Sequence, residues 1–600
     1  MKNVLAVLLV GVLIVGSFGA AVATNETHND RTIQEKVTFS EPIITNQNGY
    51  TSIQLKETTS SSTEPGYPVL PYFTKMFTFP LGTTIKDVTC DSSSIEIKQV
   101  MQDVTPAPEP TPVSDASAKI ESKNVIQNKA VYSNEQLYPT TRVSYQVGGG
   151  LSGNNHVTIL TVLYYPIQYS PRQHILIFTP EMQMTVTYEP PANPKPFSAG
   201  TNLLVIAPSE FSSALQPLID HKNQHGIATI FQTTEEIIAG YQGRDTPEKI
   251  KYAIKDAVET KGVSSVLLVG GVDKLPIRQS EVSIHGIDNE KVITDLYYSD
   301  LYDAQGSFSS WDTNNNNLFG EPSDRVDLYP DVNLGRLACA SVDEVNTVVD
   351  KIIHYETETY GSDWYHTMIF IGGNTFQWSP GNDGEEINQV VMGIMSQFTP
   401  KIIWTSKMNF NRRTISSTIT GGAGFLDYSG HGFEHGMMTY TPSGLQKKYY
   451  FTPYIKDLKN GYKLPVMFFD ACLTAKIDFV LQDFLNYRPY FAFNILAKAL
   501  RVNTSKRLTC YAWAFLTHQG GGAIATIGAT RTAFGGMDDG AGKMSIEFFS
   551  SYNTSQYLGE MITQMQNGYI NDVHGDAFTV EEFILLGDPT LKLGGYQTGN

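Results

Sequence analysis

Gly424-Phe425-Leu426-Asp427-Tyr428-Ser429-Gly430 runs into His431-Gly432, and Leu464-Pro465-Val466-Met467-Phe468-Phe469 runs into Asp470-Ala471-Cys472. Each is a short apolar run that ends in a reactive side chain. Such runs, bounded by turn residues, read as strands buried on both faces, the kind found in parallel sheets. His431 and Cys472 stand 41 residues apart, which leaves room for a crossover that makes the two strands parallel neighbours. Ligands of open parallel sheets bind at the carboxyl ends of the strands. The spacing therefore predicts that His431 and Cys472 emerge side by side on one sheet edge.

More runs of this kind flank the pair, at 203–207, 227–231, 266–269, 368–371 and 523–527. Helical patterns lie between them. Thr246 can cap a helix whose first turn holds Pro247 and whose inner face is Ile250, Ala253, Ile254, Ala257 and Val258. Ser341 with Glu344 predicts a second cap, before a face of Val345, Val348, Val349, Ile352 and Ile353. The fold class is α/β, a parallel sheet covered by helices on both sides. The strands suffice for two such sheets or one large one.

The region upstream reads differently. Over 24–195 the pattern is all-β: Met182, Met184, Val186 and Tyr188 alternate with polar residues, the period of a half-buried strand. Residues 156–165 and 174–178 are further β-rich runs. Proline-rich stretches at 106–112 and 190–196 read as extended segments, the second as a domain boundary. The expected division is 24–195, an all-β domain; 200–365, a first α/β subdomain; and 366–595, a second α/β subdomain carrying His431 and Cys472.

Six hundred residues with 41% hydrophobic and 17% charged residues can bury several cores and are not a disordered chain. With 43 Lys+Arg against 60 Asp+Glu the net charge is -17, which excludes a nucleic-acid partner on electrostatic grounds. Four cysteines exclude a disulfide-dense scaffold. Residues 1–23 read as a secretory signal: Lys2 is basic, 4–18 are apolar or small, and Ala21-Val22-Ala23 is a cleavage site. No later run is long enough to span a bilayer, so a secreted protein without a membrane span is expected.

Cys472 and His431 together suggest nucleophilic chemistry, because a thiol needs a base or a nearby cation to become a thiolate. The N–H groups of Gly432 and Cys472 could hold a developing oxyanion, and a side chain at 432 would crowd an approaching carbonyl. A buried structural cysteine and a loop histidine remain the plain alternative. His431-Gly432-Phe433-Glu434-His435 also spells H-x-x-E-H, an inverted zinc-peptidase signature. That signature works only on a helix, and Gly430, Gly432 and Gly436 oppose one. Gly540-Ala541-Gly542-Lys543-Met544 lacks the glycine spacing and the Ser/Thr of a phosphate loop.

Taken together, these motifs resemble the caspase-like cysteine peptidases, and in detail the gingipain family. Tyr428-Ser429-Gly430-His431-Gly432 is similar to its histidine motif, and Asp331-Val332-Asn333-Leu334-Gly335-Arg336-Leu337 to its central motif. Gly521-Gly522-Ala523-Ile524-Ala525 and Leu586-Gly587-Asp588-Pro589-Thr590-Leu591 are similar to its closing segments. Pro65-Gly66-Tyr67-Pro68-Val69-Leu70-Pro71 resembles the start of its propeptide. The resemblance covers nearly the whole mature chain.

The resemblance implies a secreted cysteine endopeptidase acting on protein and peptide substrates. It implies a zymogen inhibited by its own propeptide and a caspase-like fold in two adjacent subdomains; processing near Lys195, within the proline-rich boundary, would fit a basic-residue specificity. Cys472 would be the nucleophile and His431 the general base and acid, with no catalytic cofactor. Where the family places an acid that orients the histidine, this chain reads Ile371-Gly372-Gly373-Asn374, so the orienting group is Asn374, a backbone carbonyl, or absent. Asp383-Gly384-Glu385-Glu386-Ile387 matches the stretch that carries a pocket acid in Arg-specific members, with Glu386 the candidate for selecting Arg or Lys. Asp470 is a further substrate-binding candidate. Asp312, Asn314, Asn316 and Glu321 alternate like calcium-loop ligands, although Asn317 stands where Gly belongs. Calcium binding in the family makes a structural calcium site an expectation, with a polar turn as the alternative. A non-catalytic secreted binding or adhesion protein that keeps the fold is the competing function.

Overall fold

Ten strands make one sheet in the computed structural model. In chain order they are β1 (Asn202–Ala207), β2 (Ala228–Thr233), β3 (Ser265–Val269), β4 (Asn333–Leu337), β5 (Thr367–Gly372), β6 (Thr399–Trp404), β7 (Phe425–Ser429), β8 (Val466–Asp470), β9 (Ala525–Ala529) and β10 (Phe583–Leu586). The spatial order is β2-β1-β3-β4-β10-β9-β8-β7-β5-β6. Neighbours run parallel except at the β9–β10 joint, which is antiparallel. Of the two arrangements the sequence allows, the chain adopts the single large sheet, and β10 joins its halves. The structure describes residues 30–597 except 59, 93, 110–111, 113–125, 195–201, 283–290, 377–380 and 487–499. The expected signal segment 1–23 and the expected processing point at Lys195 lie outside the described residues.

Every position of β3, β4, β7, β8 and β9 is buried. That is why β3, β7, β8 and β9 read as continuous apolar runs rather than alternating ones. Val466, Met467, Phe468 and Phe469 of β8 are each at most 1% exposed, and burying such a side chain contributes about 1.5–3 kcal/mol. β4 hides from this reading because Arg336 interrupts it. The guanidinium is fully buried and forms two 2.7 Å bonds to the Asp295 carboxylate, with further bonds to the carbonyls of Gly270 and Leu275. A buried charge persists only when paired in this way.

The helices pack on the sheet faces. Helix α1 (Thr246–Lys261) buries Ile250, Ala253, Ile254, Ala257 and Val258, the expected face. Its cap is Asp245, one residue before the expected Thr246: the Asp245 side chain accepts from the Glu248 N–H. Helix α2 (Val342–Glu358) is capped by Ser341 as expected, accepting from the Glu344 N–H. The H-x-x-E-H stretch is a hairpin, with strand His431–Phe433 antiparallel to Gly436–Tyr440. Its histidines therefore do not share a helix face.

The N-terminal region is built of strands with one short helix, Lys129–Tyr132, where the sequence reads as all-β, and it has its own core, built on Leu160, Val162, Tyr164, Tyr169, Met182 and Met184. It docks on the α/β part through strand Val143–Ser152. Gly148, Gly149 and Gly150 make the close approach: a Cβ at these positions would lie 2.3 Å from Tyr329, 2.5 Å from the Asp303 carbonyl and 2.6 Å from Tyr329. The Gly149 N–H donates to Asp327 at 2.9 Å, and the Leu151 N–H to the Pro330 carbonyl at 2.8 Å. Among the described residues, no helix is long and apolar enough to cross a membrane.

Candidate active site

Strands β7 and β8 are parallel neighbours, with Ser429 paired to Asp470 at their ends. His431 and Cys472 each follow two residues later, so both come off the same edge of the sheet. The two loops touch: a Cβ on Gly432 would lie 2.3 Å from the Cys472 carbonyl oxygen and 2.8 Å from the Ala471 Cβ. Glycine at 432 is thus required by the loop itself, before any substrate arrives.

His431 is 3% exposed, and its Nε2 lies 2.6 Å from the Thr375 carbonyl oxygen. A carbonyl only accepts, so Nε2 carries the proton and Nδ1 is the basic nitrogen. Of the three orienting options left by the sequence, a backbone carbonyl makes this bond, one residue beyond Asn374. Asn374 is buried and pairs through its backbone with Tyr440. Its side-chain oxygen has no hydrogen-bond partner among the described residues. The orienting group was therefore not readable as a side chain.

Cys472 is fully buried. Its Sγ accepts from the Ala533 N–H at 3.1 Å and faces the Ala533 carbonyl at 3.3 Å. Burial, reinforced by the Glu582 carboxyl, pushes the thiol well above its ordinary value. The sulfur is therefore a protonated thiol clamped to the 533 backbone. The next residue, Phe534, forms an antiparallel bridge with Pro112 of the N-terminal domain. That domain thus reaches the chain segment holding the sulfur. A cavity of about 740 Å³ lies between the two, lined on one side by Tyr72, Gln146 and Tyr165 and on the other by Phe534, Phe578 and Glu581.

Asp470 is buried and accepts from the Ser429 hydroxyl at 2.5 Å. Burial and the nearby Asp427 raise its carboxyl to about 7, against the hydrogen bond from Ser429. Glu386 is exposed on the first turn of helix α3 (Asp383–Ile394), whereas its neighbour Glu385 is buried. Glu385 accepts from the Ser406 N–H at 2.9 Å. A buried pocket acid at 386 is therefore not the arrangement seen; the buried carboxylate of this turn is at 385 and is already bonded. Asp383 adjoins the His431 anchor, lying 3.4 Å from the Phe376 N–H.

The expected calcium loop is closed on itself. Asp312 is buried, accepts from the N–H groups of Asn316 and Asn317, and is ion-paired with Arg244. The side-chain amides of Asn314 and Asn316 donate to Glu321 at 2.9 and 3.1 Å. Asn317 takes φ 64°, the left-handed conformation that asparagine tolerates in place of glycine. The four side chains do not fit a cation in this arrangement, because Arg244 supplies the positive charge that Asp312 faces. Among the described residues, no group of three or more His, Cys, Asp or Glu is arranged to hold a metal.

Comparison with known proteins agrees with the motifs. Gingipain R2 of Porphyromonas gingivalis (strain ATCC BAA-308 / W83) is 25% identical over 296 residues, which is 48% of this chain and 33% of that protein. Lys-gingipain W83 of Porphyromonas gingivalis is 21% identical over 295 residues, 48% of this chain and 14% of that protein. The match thus spans a third or less of these relatives. Among solved structures, the Arg specific cysteine proteinase gingipain R (RGPB) has a TM-score of 0.47 at 19% identity, covering 66% of this chain and 78% of that one. The family model Propeptide_C25 matches residues 34–213, and that of Peptidase family C25 matches residues 198–594. The second match takes in well over half of the chain and the whole Cys472–His431 edge: the chain belongs to peptidase family C25.

Proposed function

We propose that the chain is a secreted cysteine endopeptidase made as a zymogen. The observation that supports this reading is the register of β7 and β8, which pairs Ser429 with Asp470, the residues two before His431 and Cys472, with the imidazole Nε2 anchored on Thr375. The Cys472 thiol gives its proton to His431 Nδ1. The thiolate attacks the scissile carbonyl carbon, and a C–S bond forms as the carbonyl π pair moves to oxygen. The N–H groups of Gly432 and Cys472 hold that oxyanion. Its collapse breaks the C–N bond, and the leaving amine takes the proton from His431. Water, deprotonated by His431, then hydrolyses the thioester and restores the thiol.

The N-terminal domain is the inhibitory propeptide in this reading. It bridges Phe534, next to the residue that holds the sulfur, and the buried, protonated thiol is a poor nucleophile. Release of the domain rehydrates the cleft and lowers the barrier to thiolate formation. Two supports favour cleavage after Arg or Lys: the relatives' names and the acidic first turn of α3 beside the His431 anchor. Glu386, exposed there, is the candidate cation contact. The test is Cys472→Ala in the full chain. That variant should accumulate as an uncut precursor and hydrolyse no peptide; normal processing of a pure Cys472→Ala preparation would rule out self-maturation.

A further inference from the structure

A second anchor acts on the same loop. Tyr428, fully buried in β7, places its hydroxyl 2.8 Å from the His431 carbonyl oxygen and 2.7 Å from the Met438 carbonyl oxygen. The single hydroxyl proton is shared between these acceptors, and burial with the nearby Asp470 keeps it on the oxygen. Gly430 lets the hydroxyl in, since a Cβ there would lie 2.6 Å from it. The His431 carbonyl and the Gly432 N–H belong to one planar peptide unit, in which the two point in opposite directions. A hydroxyl that fixes the first therefore aims the second.

We infer that Tyr428 is a positioning residue that orients the His431–Gly432 peptide, and with it the Gly432 N–H that receives the oxyanion. The inference rests on the peptidase reading above. It separates two functions in one loop: Thr375 holds the imidazole ring through its carbonyl, and Tyr428 holds the peptide plane. Removing the Tyr428 hydroxyl leaves the ring anchor intact, so base function and oxyanion stabilisation should come apart.

The test compares wild type with Tyr428→Phe in the full chain, incubated until processing stops. Three measurements are made: kcat and KM for a peptide substrate, with kcat referred to the sites labelled by a peptidyl chloromethyl ketone; inhibition by a peptidyl aldehyde; and the rate of alkylation by iodoacetamide against pH. The aldehyde adds the sulfur to its carbonyl and leaves an oxyanion to be held. Iodoacetamide is attacked at a saturated carbon with loss of iodide, so no oxyanion forms. Expected for Tyr428→Phe is a fall in kcat of about 10–100-fold, part of what losing one oxyanion donor costs. Aldehyde binding should weaken by a similar factor, while KM and the alkylation rate and its pH profile stay put. Referring kcat to the sites labelled by the chloromethyl ketone removes any misfolded fraction, because a misfolded chain does not bind the peptide. Unchanged aldehyde binding, or alkylation slowed as much as hydrolysis, overturns the inference. A wild type that neither hydrolyses peptides nor binds the aldehyde defeats the peptidase reading itself.

Discussion

Two strands of the sheet end in the same way. β4 runs into Leu337-Ala338-Cys339 and β8 into Asp470-Ala471-Cys472. Both sulfurs are fully buried, and burial pushes both thiols well above their ordinary value. The register is also the same: Val269 of β3 pairs with Leu337, as Ser429 of β7 pairs with Asp470. Two residues on, Cys339 meets Gly271, whose N–H donates to the Cys339 carbonyl at 2.9 Å, whereas the Cys472 carbonyl packs against Gly432, the residue after His431. The Ala-Cys ending is thus a packing solution that the sheet uses twice. The residue on the adjacent strand turns one of the two into a candidate nucleophile.

The comparison breaks most sharply by mutation of each sulfur. Cys472→Ala should lower peptide turnover by at least about 10³-fold, because the covalent step has no substitute. Cys339→Ala should keep kcat/KM within about twofold and lower stability by about 1–2 kcal/mol through the small cavity it leaves. Equal losses of turnover in the two variants would refute the distinction. Next in size is the covering domain. Gly149→Ala puts a Cβ 2.5 Å from the Asp303 carbonyl. It should weaken the hold of the N-terminal domain on the α/β part by about 10-fold or more, on the scale of an overpacked contact. Binding of the separated strands of a processed preparation, followed by calorimetry, reads this directly.

A smaller effect concerns pH. The Asp470 carboxyl is raised from its ordinary value near 3.8 to about 7. Its contribution to stability is therefore complete below about pH 4 and is lost as pH rises through 7. Asp470→Asn cannot ionise but still accepts from Ser429. The stability difference between variant and wild type should grow in the variant's favour from pH 4 to 8; a difference constant over that range removes the raised pKa from the account. The smallest effect is at the Asp312 loop. With Arg244 facing Asp312, removal of calcium by a chelator should shift Tm by less than about 2 °C. A larger fall would mean that a cation displaces that ion pair in solution.

Much of this was legible in the sequence, for physical reasons. Strands buried on both faces leave apolar runs, so β1, β3, β5, β7, β8 and β9 could be read directly. β4 was masked by the buried Arg336, β6 begins with the exposed Thr399-Pro400-Lys401 of an edge strand, and β10 has four residues directly after a helix. The reactive pair was legible because both residues sit just past such runs. The Thr375 and Ala533 contacts were not, since any residue offers a backbone carbonyl or N–H. The triplet Gly148-Gly149-Gly150 lies inside strand Val143–Ser152, and the approach of Tyr329 and Asp303, far along the chain, explains it. The Asp312 loop looked like a cation site because Arg244 is 68 residues away. Glu386 and Glu385 differ by one residue of helical phase, about 100° around the axis, which decides which carboxylate is buried.

The central claim is that one of four cysteines is a nucleophile because of its neighbour. The most direct measurement treats the processed protein with a peptidyl chloromethyl ketone ending in Arg or Lys and maps the label by mass spectrometry. One label is expected, on Cys472, with Cys90, Cys339 and Cys510 unmodified, and loss of that label in His431→Gln. A preparation that cleaves peptides while its label falls on another cysteine, or one whose Cys472 reacts as fast without the imidazole, would contradict it.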